Sequence, residues 1–593
     1  MAATPKIVVV GGGLAGLAAV IKIAEMGGEV DLFSIVPVKR SHSVCAQGGI
    51  NAAKNLKGEG DSTWQHFDDT IYGGDFLANQ PPVKAMCEAA PGIIDLLDRM
   101  GVTFNRTPEG LLDFRRFGGT LFNRTAFAGA TTGQQLLYAL DEQVRRYESE
   151  GKVKKYEHWE FLSAVLDGTR TCRGICAMDL RTMEVRPFPA DAVIVATGGI
   201  GAIFGKSTNS VVCTGSAQSA LYQQGCYYAN GEFIQVHPTS IPGEDKLRLM
   251  SESARGEGGR VWVPKTPGDQ RDPKSIPQSE RWYFLEEWYP KYGNLVPRDV
   301  ATRAIFKVVY EHGLGIEGKP MVYLDLTHID RKVLDRKLEG ILEIYEKFVG
   351  DDPRDTPMKI FPGMHYTMGG LWVDYKQATN VSGIFAAGEA EYQYHGANRL
   401  GANSLVSCIY GGFVSGPAAM QYARGMKKSD TNGHFDAERK RQQDINSGLM
   451  NTDGKENPFL IWRELGELMT KDCTVLRYNK NLVQTDAKLV ELLERFRRVN
   501  LSDRTQWANT TVAFVRQLYN MLQLSRVIAQ GARLRDESRG SHYKPDFPDR
   551  DDKNWMKTTK ATFAPDADEP KFEFEPVDAS LIPPRPRKYD VAK

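Results

Sequence analysis

Apolar residues crowd into short continuous runs near the start of the chain and spread into helical spacing toward its end. Ile7, Val8, Val9 and Val10 form an unbroken β-branched run, the pattern of a central parallel strand covered on both faces. From Leu14, the stretch LAGLAAVIKIAEMG is small and apolar at helical spacing and stops at Gly27-Gly28, which predicts a helix. Glu29 to Ser34, EVDLFS, reads as a second strand, with Asp31 expected at the surface. Asp61 to Ile94 has a helical pattern and precedes the turn-rich GVTFNRTPEG; a further helix is expected from Thr132 to about Glu150. Short strands then lead to another buried one, Asp191 to Gly199, ending in Thr-Gly-Gly. Between about Thr239 and Gly350, Pro/Gly-rich loops such as VPKTPGDQRDPKSIPQ alternate with helical segments such as RDVATRAIFKVVYEHGL. Beyond Gly425 the chain becomes charged, with apolar residues at i, i+3, i+4 as far as Leu534, which predicts a three-helix bundle. From about Arg539 it is rich in Pro, Asp and Lys, the composition of an extended surface segment.

At 593 residues the chain exceeds one hydrophobic core and is expected to divide into three or four domains or subdomains. With 41% hydrophobic and 25% charged residues and a net charge of +1, it has the balance of an ordinary globular protein, and nucleic-acid binding is not indicated. No run reaches the roughly 18 apolar residues of a membrane span, Ala192 to Phe204 being interrupted by glycines. MAATP leads directly into the first strand, so no secretory or twin-arginine leader is expected. The eight cysteines are scattered without a C-x-x-C pair, so neither a zinc site nor an iron–sulfur cluster is encoded, and they read as reduced, mostly buried side chains.

The junction of the first strand and helix brings in the chemistry. Gly11, Gly13 and Gly16 have G-x-G-x-x-G spacing, suited in turn to a tight bend, close approach to a pyrophosphate and helix packing, and the N–H groups of the following helix would face the phosphates. Gly11, Gly12, Gly13, Leu14, Ala15 and Gly16 are therefore dinucleotide-binding candidates. The second strand ends in Ser34 instead of the acid that accepts from an adenosine ribose, a departure from the plain NAD pattern. Arg115, Arg116 and Arg124 lie in a glycine-rich stretch that fits either a loop near anionic groups or a solvated basic loop.

The stretch SIVPVKRSHSVCAQGG, residues 34 to 49, resembles the flavoprotein subunit of succinate dehydrogenase and fumarate reductase, of the type paired with a single cytochrome b membrane anchor. The resemblance extends through ATGG, CTGS, GIFAAGEA and HGANRLGANSL over essentially the whole chain. It implies an α/β protein: a Rossmann-like FAD-binding domain in two parts, 1–238 and 351–425, with an α+β capping domain inserted at 239–350. A helical domain, 426–538, and a C-terminal extended segment, 539–593, follow. By the same resemblance FAD is held by the glycine turn and by Ser34, Lys39, Arg40, Ser41, Ser43, Ala46, Gln47, Gly48, Gly49, Thr197, Gly198, Ser216, Glu389, Ser404 and Leu405, and is attached covalently to His42. A neutral imidazole is a competent nucleophile toward an electron-poor methyl carbon. Ser216 stands where the family has an acid, which removes one expected polar contact.

The resemblance further implies that His237, Ser251, His365 and Arg399 bind a dicarboxylate, Ser251 standing where threonine is common. Arg298 would carry the substrate proton, with Glu252 and Arg255 as a relay to solvent. Guanidinium pairs bidentately with carboxylates and imidazole donates directionally, so these residue types suit succinate and fumarate. The implied partners are an iron–sulfur subunit and a cytochrome b anchor, with quinone reached through them, and the implied place is the cytoplasmic face of the cell membrane. A free-standing L-aspartate oxidase or a soluble fumarate reductase is the alternative. His42, and the lack of an evident acid for a substrate ammonium, favour the first reading, and the chain lacks the C-x-x-C-H motif of haem-bearing soluble relatives.

Overall fold

A computed structural model describes residues 4–243, 247–426, 432–565 and 570–589. The first three residues, on which part of the leader reading falls, lie outside the described residues, as do 566–569 and 590–593 of the C-terminal segment.

The β-branched run becomes the centre of a parallel sheet. Strand β1, Lys6–Val10, lies between β2, Glu29–Ser34, and Ala192–Val195, and the outer strands are Val153–Glu157 and Ile384–Ala386. Val193 pairs with Ile384, so the last strand arrives from far along the chain. Helix α1, Leu14–Glu25, and helix Asn403–Gly425 pack together on one face, within a core that includes Leu17, Val20, Val406 and Ile409. The three-stranded antiparallel sheet Trp159–Leu166, Cys172–Asp179 and Val185–Pro189 contributes Trp159, Phe161 and Ile175 to the opposite core beside Val8 and Phe33. With both faces covered, β1 and β2 are buried beyond their first residues. Asp31, expected outside, is accordingly buried and paired with Lys6 Nζ at 2.8 Å.

The stretch that reads as helical from Asp61 to Ile94 is two helices, Thr63–Gly73 and Gln80–Arg99, interrupted where Asp75 and Phe76 take positive φ. A second, six-stranded sheet runs in the order Arg248–Leu249, Ile234–Ile241, Met358–Thr367, Val322–Asp325, Arg260–Pro264, Arg281–Trp282, and every pairing in it is antiparallel. Helices Arg298–Phe306 and Arg331–Val349 share a core with it through Val300, Ile305, Leu338 and Leu342.

Helices Pro458–Asp472, Asn479–Phe496 and Thr510–Leu534 form the three-helix bundle, while helix Asn432–Met450 packs instead against the 159–189 sheet. The C-terminal segment is not merely draped over the surface. Lys557–Thr562 and Lys571–Pro576 extend a sheet through Tyr228–Ala229, and Arg535, Glu537, Arg539, His542 and Lys544 are fully buried. Arg535 reaches Glu232 across the fold and shares Glu537 with Arg539, Lys544 pairs with Asp536, and His542 Nδ1 meets Arg477 while burial keeps its imidazole well below the ordinary value. The arginine-rich stretch divides: Arg124 is buried between Asp61 and Asp69, Arg115 donates to the carbonyls of Gln47 and Gly48, and Arg116 is exposed and paired with Glu59. Six of the eight cysteines are buried. Among the described residues, no helix is long and apolar enough to cross a membrane.

Candidate active site

The sharp turn after β1 forms where no side chain fits. Gly11 has φ +117°, and a Cβ on it would stand 2.1 Å from Ala196 O; a Cβ on Gly16 would stand 1.9 Å from Gly11 O. The turn opens into a cavity of about 520 Å³. Val10 to Ala15, Ser34, Ser41 to Gly49, Thr197, Gly198, Ser216, Glu389, Ser404 and Leu405 line it, and His237, Ser251, Glu252, Arg298, His365 and Arg399 line the same cavity. The structure thus joins nearly all the sequence-derived candidates in one space. Four stay out of its wall. Gly16 is turned into helix packing, Lys39 faces Asp141 and Glu142 at 3.7 and 3.6 Å, Arg40 lines no part of it, and Arg255 stands behind Glu252.

Two buried atoms of the wall, Thr197 Oγ1 and Gln47 Oε1, have no hydrogen-bond partner among the described residues, and Gly13, the N-cap of α1, has no side chain to cap the helix, whose first N–H, on Leu14, donates to Ser43 Oγ at 3.3 Å. Unsatisfied polar groups around a glycine turn fit a polar dinucleotide such as FAD. Glu389 accepts from Thr367 N at 3.0 Å, and burial pushes its carboxyl up to about 7. Ser216, in the place of the family acid, accepts from Asn520 Nδ2 at 2.7 Å.

His42 sits in a short 3-10 turn, His42–Cys45, that follows Ser41, whose Oγ donates to Val38 O and lies 3.0 Å from Gly12 O. Both ring nitrogens meet one segment: Ser210 N–H donates to Nδ1 at 3.3 Å, and Asn209 Nδ2 lies 3.3 Å from Nε2. Asn209 also donates to His365 O at 2.8 Å, which ties His42 to the strand that carries His365. Thr208 and Asn209 escaped the sequence reading; the STNS turn just before CTGS is the signal that could have found them.

The cationic end is built from five segments, those bearing His237, Glu252, Arg298, His365 and Arg399. Arg298 opens helix Arg298–Phe306, and its Nε and Nη2 reach Glu252 Oε2 at 2.8 and 2.7 Å while Nη1 donates to Gln235 Oε1 at 2.9 Å. Arg255 Nη2 holds the other oxygen of Glu252 at 2.8 Å, and its Nη1 donates to Asn294 O at 2.7 Å. Burial raises the Glu252 carboxyl, but Arg298 and Arg255 outweigh it and hold the group below its ordinary range. Gln235, also missed in sequence, donates to Asn398 Oδ1 and Arg399 O at 2.9 and 2.7 Å and so links the two arginine-bearing segments.

Arg399 lies over the Tyr366 ring at 4.5 Å, and its Nε has no hydrogen-bond partner among the described residues. Burial, reinforced by Arg298, lowers it to about 9. The His237 and His365 rings meet edge to face at 4.9 Å, and burial followed by Arg298 keeps both imidazoles well below their ordinary value. Thr239 surrounds His237 Nδ1 at 3.1–3.2 Å, and Nε2 has no hydrogen-bond partner among the described residues. Thr208 Oγ1 meets His365 Nδ1 at 2.8 Å. Ser251 Oγ contacts Ser253 Oγ at 2.7 Å. Unsatisfied donors beside a net positive cluster suit an anion with two ends.

Comparison with known proteins agrees with this site. A family model described as FAD binding domain matches residues 6–405, and one described as fumarate reductase flavoprotein C-term matches 462–589. The chain is 65% identical over 591 residues to the succinate dehydrogenase flavoprotein subunit of Bacillus subtilis (strain 168), covering 99% of each. It is 33% identical over 587 residues to the fumarate reductase flavoprotein subunit of Escherichia coli (strain K12), covering 98% of this chain and 95% of that one. A solved quinol fumarate reductase chain of E. coli superposes with a TM-score of 0.92 at 32% identity, covering 100% of both chains. The glycine turn, the cavity and these full-length likenesses together place the chain in the family of succinate dehydrogenase and fumarate reductase flavoprotein subunits, FAD-dependent oxidoreductases.

Proposed function

We propose that the chain interconverts succinate and fumarate in this cavity with FAD attached to His42, and passes electrons to an iron–sulfur subunit on a cytochrome b anchor at the cytoplasmic face of the membrane. The convergence of Arg298, Arg399, His237 and His365 on the cavity that also contains the glycine turn carries this reading. FAD, when bound, supplies the two-electron acceptor and donor. The N–H groups at the start of α1, with Ser43, Thr197 and Gln47, would hold it, and Glu389, Ser404 and Leu405 would complete its pocket.

Arg399 and the free Nε2 of His237 bind and orient the substrate carboxylates, which give the buried guanidinium the counter-charge it lacks. His365 and Ser251 add neutral, directional contacts. Arg298 exchanges a proton with the substrate, and Glu252 and Arg255 pass it outward along an unbroken chain of contacts. The six-stranded sheet and its helices cover the site and exclude water, which strengthens each of these charge contacts.

The covalent link is tested by acid precipitation: flavin fluorescence should stay with the denatured chain. Colourless protein with all FAD in the supernatant would overturn the His42 assignment. A His42→Ser chain should still bind FAD through the glycine turn, but release it on denaturation.

A further inference from the structure

The C-terminal segment reaches the substrate end of the cavity from outside. Gln80 Oε1 accepts from the N–H groups of Leu581 and Ile582, both at 2.8 Å. Arg585 pairs with Asp68 at 2.6 Å, and the Tyr72 hydroxyl meets Lys588 N and O at 2.6 and 3.0 Å. These anchors all lie on the two helices within 63–99, on the cofactor side. Arg587 instead crosses to the other layer, placing Nη1 and Nη2 on the Asp299 carboxylate at 2.5 and 3.0 Å. Both side chains are buried, and Tyr589 packs beside them with its ring 5.1 Å from that of Tyr292.

Asp299 directly follows Arg298 in the first turn of helix Arg298–Phe306. One turn on, Arg303 shares Asp299 Oδ2 at 3.2 Å and donates to Gly540 O at 3.1 Å. Ser541, next to Gly540, donates its N–H and its hydroxyl to Ala397 O, each at 2.9 Å, in the loop that bears Arg399. One C-terminal segment therefore touches the backbone carriers of both active-site arginines.

We propose that Arg587 and Asp299 are positioning residues for proton transfer: their buried pair locks the first turn of this helix, so that the Arg298 guanidinium stays between Glu252 and Gln235. The inference rests on Arg298 being the proton carrier. A two-pronged guanidinium–carboxylate pair fixes orientation as well as distance, which a single point charge does not. Without Arg587, the buried Asp299 carboxylate keeps Arg303 as its remaining ionic partner and the turn loosens. A displacement near 1 Å at a reacting group costs roughly 100-fold in rate.

The test uses the full-length flavoprotein with Arg587→Ala, Arg587→Lys and Asp299→Asn. Flavin content, malonate inhibition, and kcat with a dye acceptor in light and heavy water are measured. Arg587→Ala should lose about tenfold or more in kcat with a larger solvent isotope effect, while flavin content holds and malonate inhibition stays within about threefold. Arg587→Lys should recover part of the rate. A kcat and isotope effect at wild-type level would overturn the proposal, as would a loss that merely follows flavin content. If Arg587→Ala does not accumulate, Arg587→Lys is read in its place: a slower kcat with a raised isotope effect supports the proposal and wild-type values overturn it. Arg298→Lys separates the two assignments. Near-normal turnover there removes the proton-carrier reading itself; an inactive Arg298→Lys beside a normal Arg587→Ala removes only the positioning role.

Discussion

Arg298→Lys tests the proton path at its narrowest point. The guanidinium is held by three contacts, two to Glu252 Oε2 at 2.7–2.8 Å and one to Gln235 at 2.9 Å. A lysine ammonium keeps the charge but cannot place three donors in one plane, so at least one contact is lost and the reacting N–H moves. Each hydrogen bond between charged groups contributes about 1.5–3 kcal/mol, so the ammonium would be drawn to Glu252 and away from the cavity. Losing a positioned proton donor or acceptor costs about 100- to 10,000-fold, or about 3–5 kcal/mol in the barrier. The affinity for malonate, which presents two carboxylates and does not react, should change by less than about tenfold because the charge remains. Steady-state succinate oxidation with a dye acceptor, alongside malonate inhibition, measures both quantities. Turnover within about tenfold of wild type, a barrier change of only ~1.4 kcal/mol, would refute the role of Arg298 and turn attention to Glu252 or His365.

Arg399→Ala leaves a substrate carboxylate without its partner in a desolvated site, and kcat/KM should fall by about 3–5 kcal/mol in transition-state terms; a near-normal value would mean that substrate binds elsewhere. Glu391 concerns stability. Burial pushes its carboxyl up to about 8, above the 4.5 of an exposed glutamate, so its contribution to stability is present below pH 4.5 and is lost as pH rises through about 8. Glu391→Gln should therefore gain in Tm relative to wild type between pH 5 and pH 8, and a constant difference across that range would show that Glu391 does not titrate as this burial requires.

The site was legible wherever its chemistry was local. The strand, turn and helix at 6–25 declare themselves because the apolar run, the glycine spacing and the helical period all lie within twenty residues, and each acts on its own neighbours. The segments bearing His42, His237, Ser251, Arg298, His365 and Arg399 could be picked out in the same way, by resemblance of short stretches. Lys39 and Arg40 belong to such a stretch, yet they line no part of the cavity. The stretch shows which residues are near His42 in sequence but not which way each points.

What the chain alone determined was thus the first strand and helix, the three-helix bundle, the glycine turn and the family. Tertiary structure decided the fate of the charges. Asp31 and Arg124 are buried, Arg298 is held by a carboxylate 46 residues away, and Arg587 by one 288 residues away. Whether a charged side chain is solvated or buried depends on whether a counter-charge is brought to it, and at such separations that depends on the packing of whole layers. The C-terminal segment shows this most clearly: its composition reads as solvated, yet Arg539, Arg550 and Arg587 are taken out of water because Glu537 waits beside the first, and Asp75 and Asp299 wait for the other two on other parts of the fold.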